Sequence, residues 1–159
     1  MAVEKADVEV TLPKTFVIGL HGTSKDSKRW PTSHWIALAK KLSAQQCHLV
    51  LPWASQTEHQ RAQEIAENGN NVTVLPKLSI ADLAAIIGQA WAAIGVDTGL
   101  SHLSVALDIP TVAIYTDTNP ALTGVMASAN GQIINLGGID QTPSATSVLD
   151  AAQQITAPA

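Results

Sequence analysis

Residues 91–103 read WAAIGVDTGLSHL. Trp91 to Val96 carry no polar side chain, whereas GLSHLSVAL (99–107) spaces its apolar residues as a helix that stops before Pro110. A run of six apolar residues bounded by polar ones fits a strand covered on both faces, and such strands belong to parallel sheets flanked by helices. This stretch therefore reads as strand, polar junction, helix. The junction is unusual. Either Asp97 or Thr98 alone would cap the helix, and the chain has both side by side. Asp97 is then either a redundant cap or a carboxylate turned toward something else.

The same alternation extends in both directions. TFVIGL (15–20), CHLVL (47–51), NVTVL (71–75) and TVAIY (111–115) are short apolar runs, and QIINL (132–136) offers a sixth. Between them lie helical patterns. One begins near Ser33 and turns Trp35, Leu38, Ala39 and Leu42 to one face. Ser55-Gln-Thr-Glu58 forms a capping-box pattern for a helix ending at Asn68-Gly69, and Ser79-Ile-Ala-Asp82 opens another. Thr142-Pro143 is expected to cap the last helix, which carries Ala145, Val148, Leu149, Ala152 and Ile155 on one stripe. The pattern predicts an α/β domain: a Rossmann-like, doubly wound parallel sheet of five to six strands over residues 16–159. Residues 1–15 are expected to be a leader arm or an artificial start.

In such sheets, ligands bind beyond the carboxyl ends of the strands. Those ends carry HGTSKDSKR (21–29), PWASQTE (52–58), PKLS (76–79), DTGLSH (97–102) and YTDTNP (115–120). The first lacks the spacing of dinucleotide or Walker loops. It still provides Gly22 for close backbone approach, hydroxyls at Thr23 and Ser24, and cations at Lys25, Lys28 and Arg29. It is either a solvated basic loop or a phosphate clamp. Glu58 is either a box partner of Ser55 or an acceptor for a ribose diol. His102 is either a core histidine or a phosphate donor. His21 and three of the four tryptophans (Trp30, Trp35 and Trp91) read as packing, with Trp53 less clearly so.

Charge narrows the ligand class. The 159 residues carry 9 Lys and Arg against 13 Asp and Glu, a net charge of −4. All the Lys and Arg lie before residue 78, so no broad basic surface exists to neutralise a nucleic-acid backbone. No apolar run approaches the ~20 residues of a membrane span. The single cysteine, Cys47, cannot form an internal disulfide and reads as an inert core thiol, which fits a reducing cytoplasm. No Cys or His pair has metal-ligand spacing. The residues alone thus lead to a domain that binds a nucleotide diphosphate, with or without a sugar.

HGTSKDSKRWP, LPW followed by Glu58, VLPKLS and VDTGLSHL occur here in the order and at the intervals of the heptosyltransferases of glycosyltransferase family 9. The chain resembles the donor-binding, C-terminal half of a type I lipopolysaccharide enzyme of that family, whose two-domain architecture is GT-B. One departure is YTDTNP at 115–120, where the family has YGPTDP. The resemblance implies an ADP-heptose donor and inverting transfer of heptose to a Kdo sugar of the lipopolysaccharide inner core. It implies no metal and no cofactor besides the donor. Thr23, Ser24 and Lys28 would hold the pyrophosphate, and Glu58 the ribose hydroxyls. Pro76, Lys77 and Leu78 would border the adenine. Asp97 would meet the heptose hydroxyls, while Thr98, Gly99 and His102 hold the distal phosphate. Lys28 and Asp97 would support catalysis directly. The general base would come from an N-terminal acceptor domain, so this chain by itself is expected to be inactive. The intact enzyme is expected in the cytoplasm, at the inner-membrane face where its Kdo-lipid A acceptor lies. Two alternatives are a stand-alone nucleotide-sugar binding module and another GT-B-shaped enzyme, such as a UDP-sugar 2-epimerase.

Overall fold

The computed structural model describes residues 11–23, 28–96, 99–116, 133–138 and 141–156. Six strands form one sheet: β1 (Phe16–Leu20), β2 (His48–Leu51), β3 (Val72–Val74), β4 (Ala92–Val96), β5 (Thr111–Tyr115) and β6 (Ile133–Gly137). Among the described residues, five helices accompany them: α1 (Thr32–Ala44), α2 (Gln56–Asn68), α3 (Ile80–Ile87), α4 (Gly99–Ala106) and α5 (Ala145–Thr156). Every strand pairing is parallel and the order is β3-β2-β1-β4-β5-β6. The expected doubly wound sheet is therefore present, with the sixth strand in it. Residues 1–10 of the expected leader arm lie outside the described residues.

The all-apolar strands still sort their side chains by the period of two. Val17, Ile94, Val96, Val112 and Ile114 face one layer, where they pack with Trp35, Leu38 and Leu42 of α1, Ile65 of α2 and Val148 of α5. Phe16, Ile18, Leu20 and Ala93 face the other, against Leu83, Ile86 and Ile87 of α3. Burial on both faces is why no polar alternation is visible in these strands. Trp30 and Trp35 are fully buried and meet edge to face at 4.9 Å, and Trp91 packs against the same layer, as expected. Cys47 is buried and free, and burial pushes its thiol pKa up, which suppresses the reactive thiolate.

Two helix starts follow the local code and a third departs from it. Ser55 and Ser79 accept from the N–H groups of Glu58 and Asp82, as their sequence patterns predict. At α5 the cap is Ser144, not Thr142-Pro143: its hydroxyl accepts from the Ser147 N–H, and its carbonyl from that of Val148. Pro143 is used differently, since its carbonyl accepts the Trp30 indole N–H at 2.8 Å. The α1 C-terminus closes with Gln46 at φ 59°, its N–H on Ser43 O and that of Cys47 on Leu42 O. A left-handed residue there costs a side chain that glycine lacks. Gln46→Gly should raise stability by about 0.5–1 kcal/mol, read as a shifted urea midpoint at constant slope.

Candidate functional site

The sheet order places the site. Chain order reverses between β1 and β4, which are neighbours, with Val17 opposite Ala92 and Leu20 opposite Gly95, although each paired residue is 75 positions from its partner. HGT (21–23) therefore leaves the sheet beside the β4–α4 junction, at a topological switch point. On the other side of β1, β2 delivers Glu58 in the first turn of α2, and β3 delivers Pro76, Lys77 and Leu78. The exits from β4 to β3 span three strand spacings, ~14 Å. That is the length scale of an extended nucleoside diphosphate.

At β1, His21 is buried, and its Nε2 lies 2.8 Å from the Pro52 carbonyl, joining the exits of β1 and β2. With Nε2–H as donor, Nδ1 is the acceptor; it is buried without a hydrogen-bond partner. The ring meets Trp35 edge-on at 6.4 Å. Burial lowers its pKa to about 4; the Pro52 bond and Glu58 raise it, and Arg61 lowers it. His21 is thus a structural histidine, as the sequence suggested. Because its folded pKa lies below the ordinary 6.5, the unfolded chain binds the extra proton between these values. Its contribution is complete above pH 6.5 and is lost as pH falls toward 4, by on the order of 3 kcal/mol. Urea midpoints across pH 4–7 should fall more steeply in the wild type than in His21→Asn.

Glu58 is the box partner of Ser55 that its sequence context allowed. Its N–H is capped by Ser55, and its own carboxylate accepts from the Ala54 N–H at 3.2 Å and the Ser55 hydroxyl at 3.4 Å. The carboxylate also lies against Gly22 at the β1 exit, where a ligand would pass. Trp53 donates its indole N–H to the Leu75 carbonyl at 2.7 Å, tying the β2 and β3 exits together. Its ring stacks at a tilt on His59, with centroids 4.1 Å apart. Trp53 is therefore a strut for the Pro76–Leu78 segment. Pro76 and Lys77 are exposed there, while Leu78 packs on the core.

At β4, Ser101 anchors the first turn of α4 by donating to the Val96 carbonyl at 2.7 Å. Gly95 permits this closeness, because a Cβ there would come within 2.7 Å of both the Ser101 hydroxyl and Leu20 Cβ. Ser104 continues the chain of hydroxyls to Thr111 on β5 at 2.9 Å. His102 is exposed, which overturns the core-histidine alternative. Ser24, Asp97 and Thr98 lie outside the described residues, as do residues 117–120 of the YTDTNP loop. Thr23 and Lys28, flanking residues 24–27, are half-buried.

Sequence reading missed three things. Arg61, one turn beyond Glu58, is buried although charged, and nothing in its polar neighbours marks it. The Gly22–Glu58 contact and the Trp53–Leu75 bond join segments that are distant in sequence.

Comparison with known proteins agrees with this fold. The model of the family "Glycosyltransferase family 9 (heptosyltransferase)" matches residues 2–151. Lipopolysaccharide heptosyltransferase 1 of Pseudomonas aeruginosa is 40% identical over 119 residues, covering 75% of this chain and 33% of that protein. Among solved structures, the E. coli heptosyltransferase WaaC with ADP superposes with a TM-score of 0.80 at 34% identity, over 89% of this chain and 44% of that one. The same enzyme with ADP-2-deoxy-2-fluoro heptose gives 0.76 at 31% identity, over 87% and 42%. The chain thus spans about a third of the length of the curated relative and under half of the solved chains. The family assignment also sets the chain apart from the UDP-sugar 2-epimerase alternative. With its sheet order, its strand-exit residues and a family match over nearly its whole length, this chain belongs to glycosyltransferase family 9, the heptosyltransferases.

Proposed function

We propose that this chain is the donor-binding half of a heptosyltransferase that takes ADP-heptose and, with an acceptor domain, transfers heptose to a Kdo sugar of the lipopolysaccharide inner core. The observation that carries this reading is the alignment of four strand exits, β3-β2-β1-β4, along one edge. Adenine lies by Pro76–Leu78, ribose by Glu58, and the pyrophosphate by Thr23, Ser24 and Lys28. The distal phosphate meets Thr98, Gly99 and His102, and the heptose hydroxyls meet Asp97. The N-terminus of α4 adds its first-turn N–H groups and the positive end of its dipole to the phosphates.

In an inverting transfer, the acceptor oxygen bonds to the anomeric carbon as the bond to the distal phosphate breaks. Negative charge then gathers on departing ADP. In this reading Lys28 and the α4 N-terminus supply the positive charge that stabilises it. The acceptor proton passes to a general base from the acceptor domain, so the chain alone binds ADP weakly and turns nothing over. Titration of ADP, UDP and ADP-heptose into the purified chain tests the assignment. ADP and ADP-heptose should bind in preference to UDP, and equal or tighter UDP binding would overturn it. Heptose transfer by this chain without a partner domain would refute the division of labour.

A further inference from the structure

We infer that Gly22 is the residue that admits the Glu58 carboxylate to the ribose position, and that it thereby sets the preference for a ribonucleotide over its 2′-deoxy counterpart. This rests on the reading of Glu58 as the ribose acceptor. A Cβ at residue 22 would meet three atoms first, and all three belong to Glu58: Oε1, which it would overlap, Cδ at 2.6 Å and Oε2 at 3.2 Å. No backbone atom and no core side chain is among them. Gly22 also lacks a left-handed φ, so alanine can adopt its backbone conformation without strain. The missing side chain therefore leaves room for the Glu58 carboxylate.

The two partners cannot drift apart to make room. His21, directly before Gly22, is bonded to the Pro52 carbonyl and holds the β1 exit against the β2 exit. Glu58 is held in place by the Ala54 N–H and the Ser55 hydroxyl. With both backbones fixed, an added methyl group must rotate the carboxylate away. Gly22 is thus a positioning residue that acts through Glu58.

The test compares ADP with 2′-deoxy-ADP by calorimetric titration of the full chain as wild type, Gly22→Ala, Glu58→Ala and the double variant. The wild type should prefer ADP by roughly tenfold, as expected of a charged acceptor on the 2′-hydroxyl. The preference should fall toward one in Gly22→Ala and in Glu58→Ala, with no further fall in the double variant. Preference lost in Glu58→Ala but kept in Gly22→Ala overturns the inference while leaving the ribose role of Glu58 intact. A wild type that binds both nucleotides equally overturns both. Thermal melts give a ligand-free arm, useful if Gly22→Ala folds poorly. Removing the carboxylate should relieve the overlap, so the double variant should melt with Glu58→Ala. A Gly22→Ala loss that persists in full beside Glu58→Ala would overturn the inference.

Discussion

Trp35→Ala should cost about 3–5 kcal/mol, the range for emptying a buried large aromatic site. Trp35 is wholly buried on α1, in edge contact with Trp30 and His21. It also fills the space above Gly19, where an added Cβ would lie 3.2 Å from its ring. Against the 5–15 kcal/mol that stabilises a domain of ordinary size, the loss is severe. It should also reach the site, because the ring supports His21 and hence the joined exits of β1 and β2. Trp35→Phe should be far milder. It leaves a smaller void and removes an indole N–H that is buried without a partner. Urea unfolding of both variants checks the pair. An alanine variant within 1 kcal/mol of wild type, or a phenylalanine variant as damaged as alanine, would contradict this account of the core.

The second large effect concerns ligand discrimination. Asp97→Asn should weaken ADP-heptose binding by tenfold or more and leave ADP binding level or slightly tighter. Asn caps a helix as well as Asp, so the fold should be retained. On the proposed reading, what is lost is a charged acceptor for a sugar hydroxyl, worth ~1.5–3 kcal/mol, and each 1.4 kcal/mol is about a decade in affinity. Plain ADP has no heptose to lose. On the same reading it should gain from removal of a carboxylate near its phosphates. The ratio of the two affinities in wild type and variant is the deciding measurement, with thermal melts as control. An unchanged ratio would make Asp97 a cap alone.

Much of this molecule is written locally. Strands β1, β2, β4 and β5 are apolar runs that could only be buried on both faces, and helix stripes such as Trp35, Leu38, Ala39 and Leu42 are the buried residues of α1. The Ser55 and Ser79 caps depend on neighbours three residues away, so they too can be read from the chain. At α5, Thr142-Pro143 and Ser144 are both acceptable starts by local pattern; the helix uses Ser144, while the Pro143 carbonyl accepts from Trp30 of a distant segment.

The site divides along the same line. Its residue types were legible, because polar groups at the ends of apolar strands have few structural uses. Their arrangement was not. That β1 lies between β2 and β4 depends on which strand pairs satisfy the backbone while covering both core layers, and periodicity carries no information about that choice. The exposure of His102, the burial of Arg61 and the seat of Glu58 against Gly22 all follow from that pairing. Sequence determined which chemical groups reach the strand ends; tertiary packing alone decided which of them face one another, because contacts between distant segments are set by the global fit of sheet and helices rather than by any local pattern.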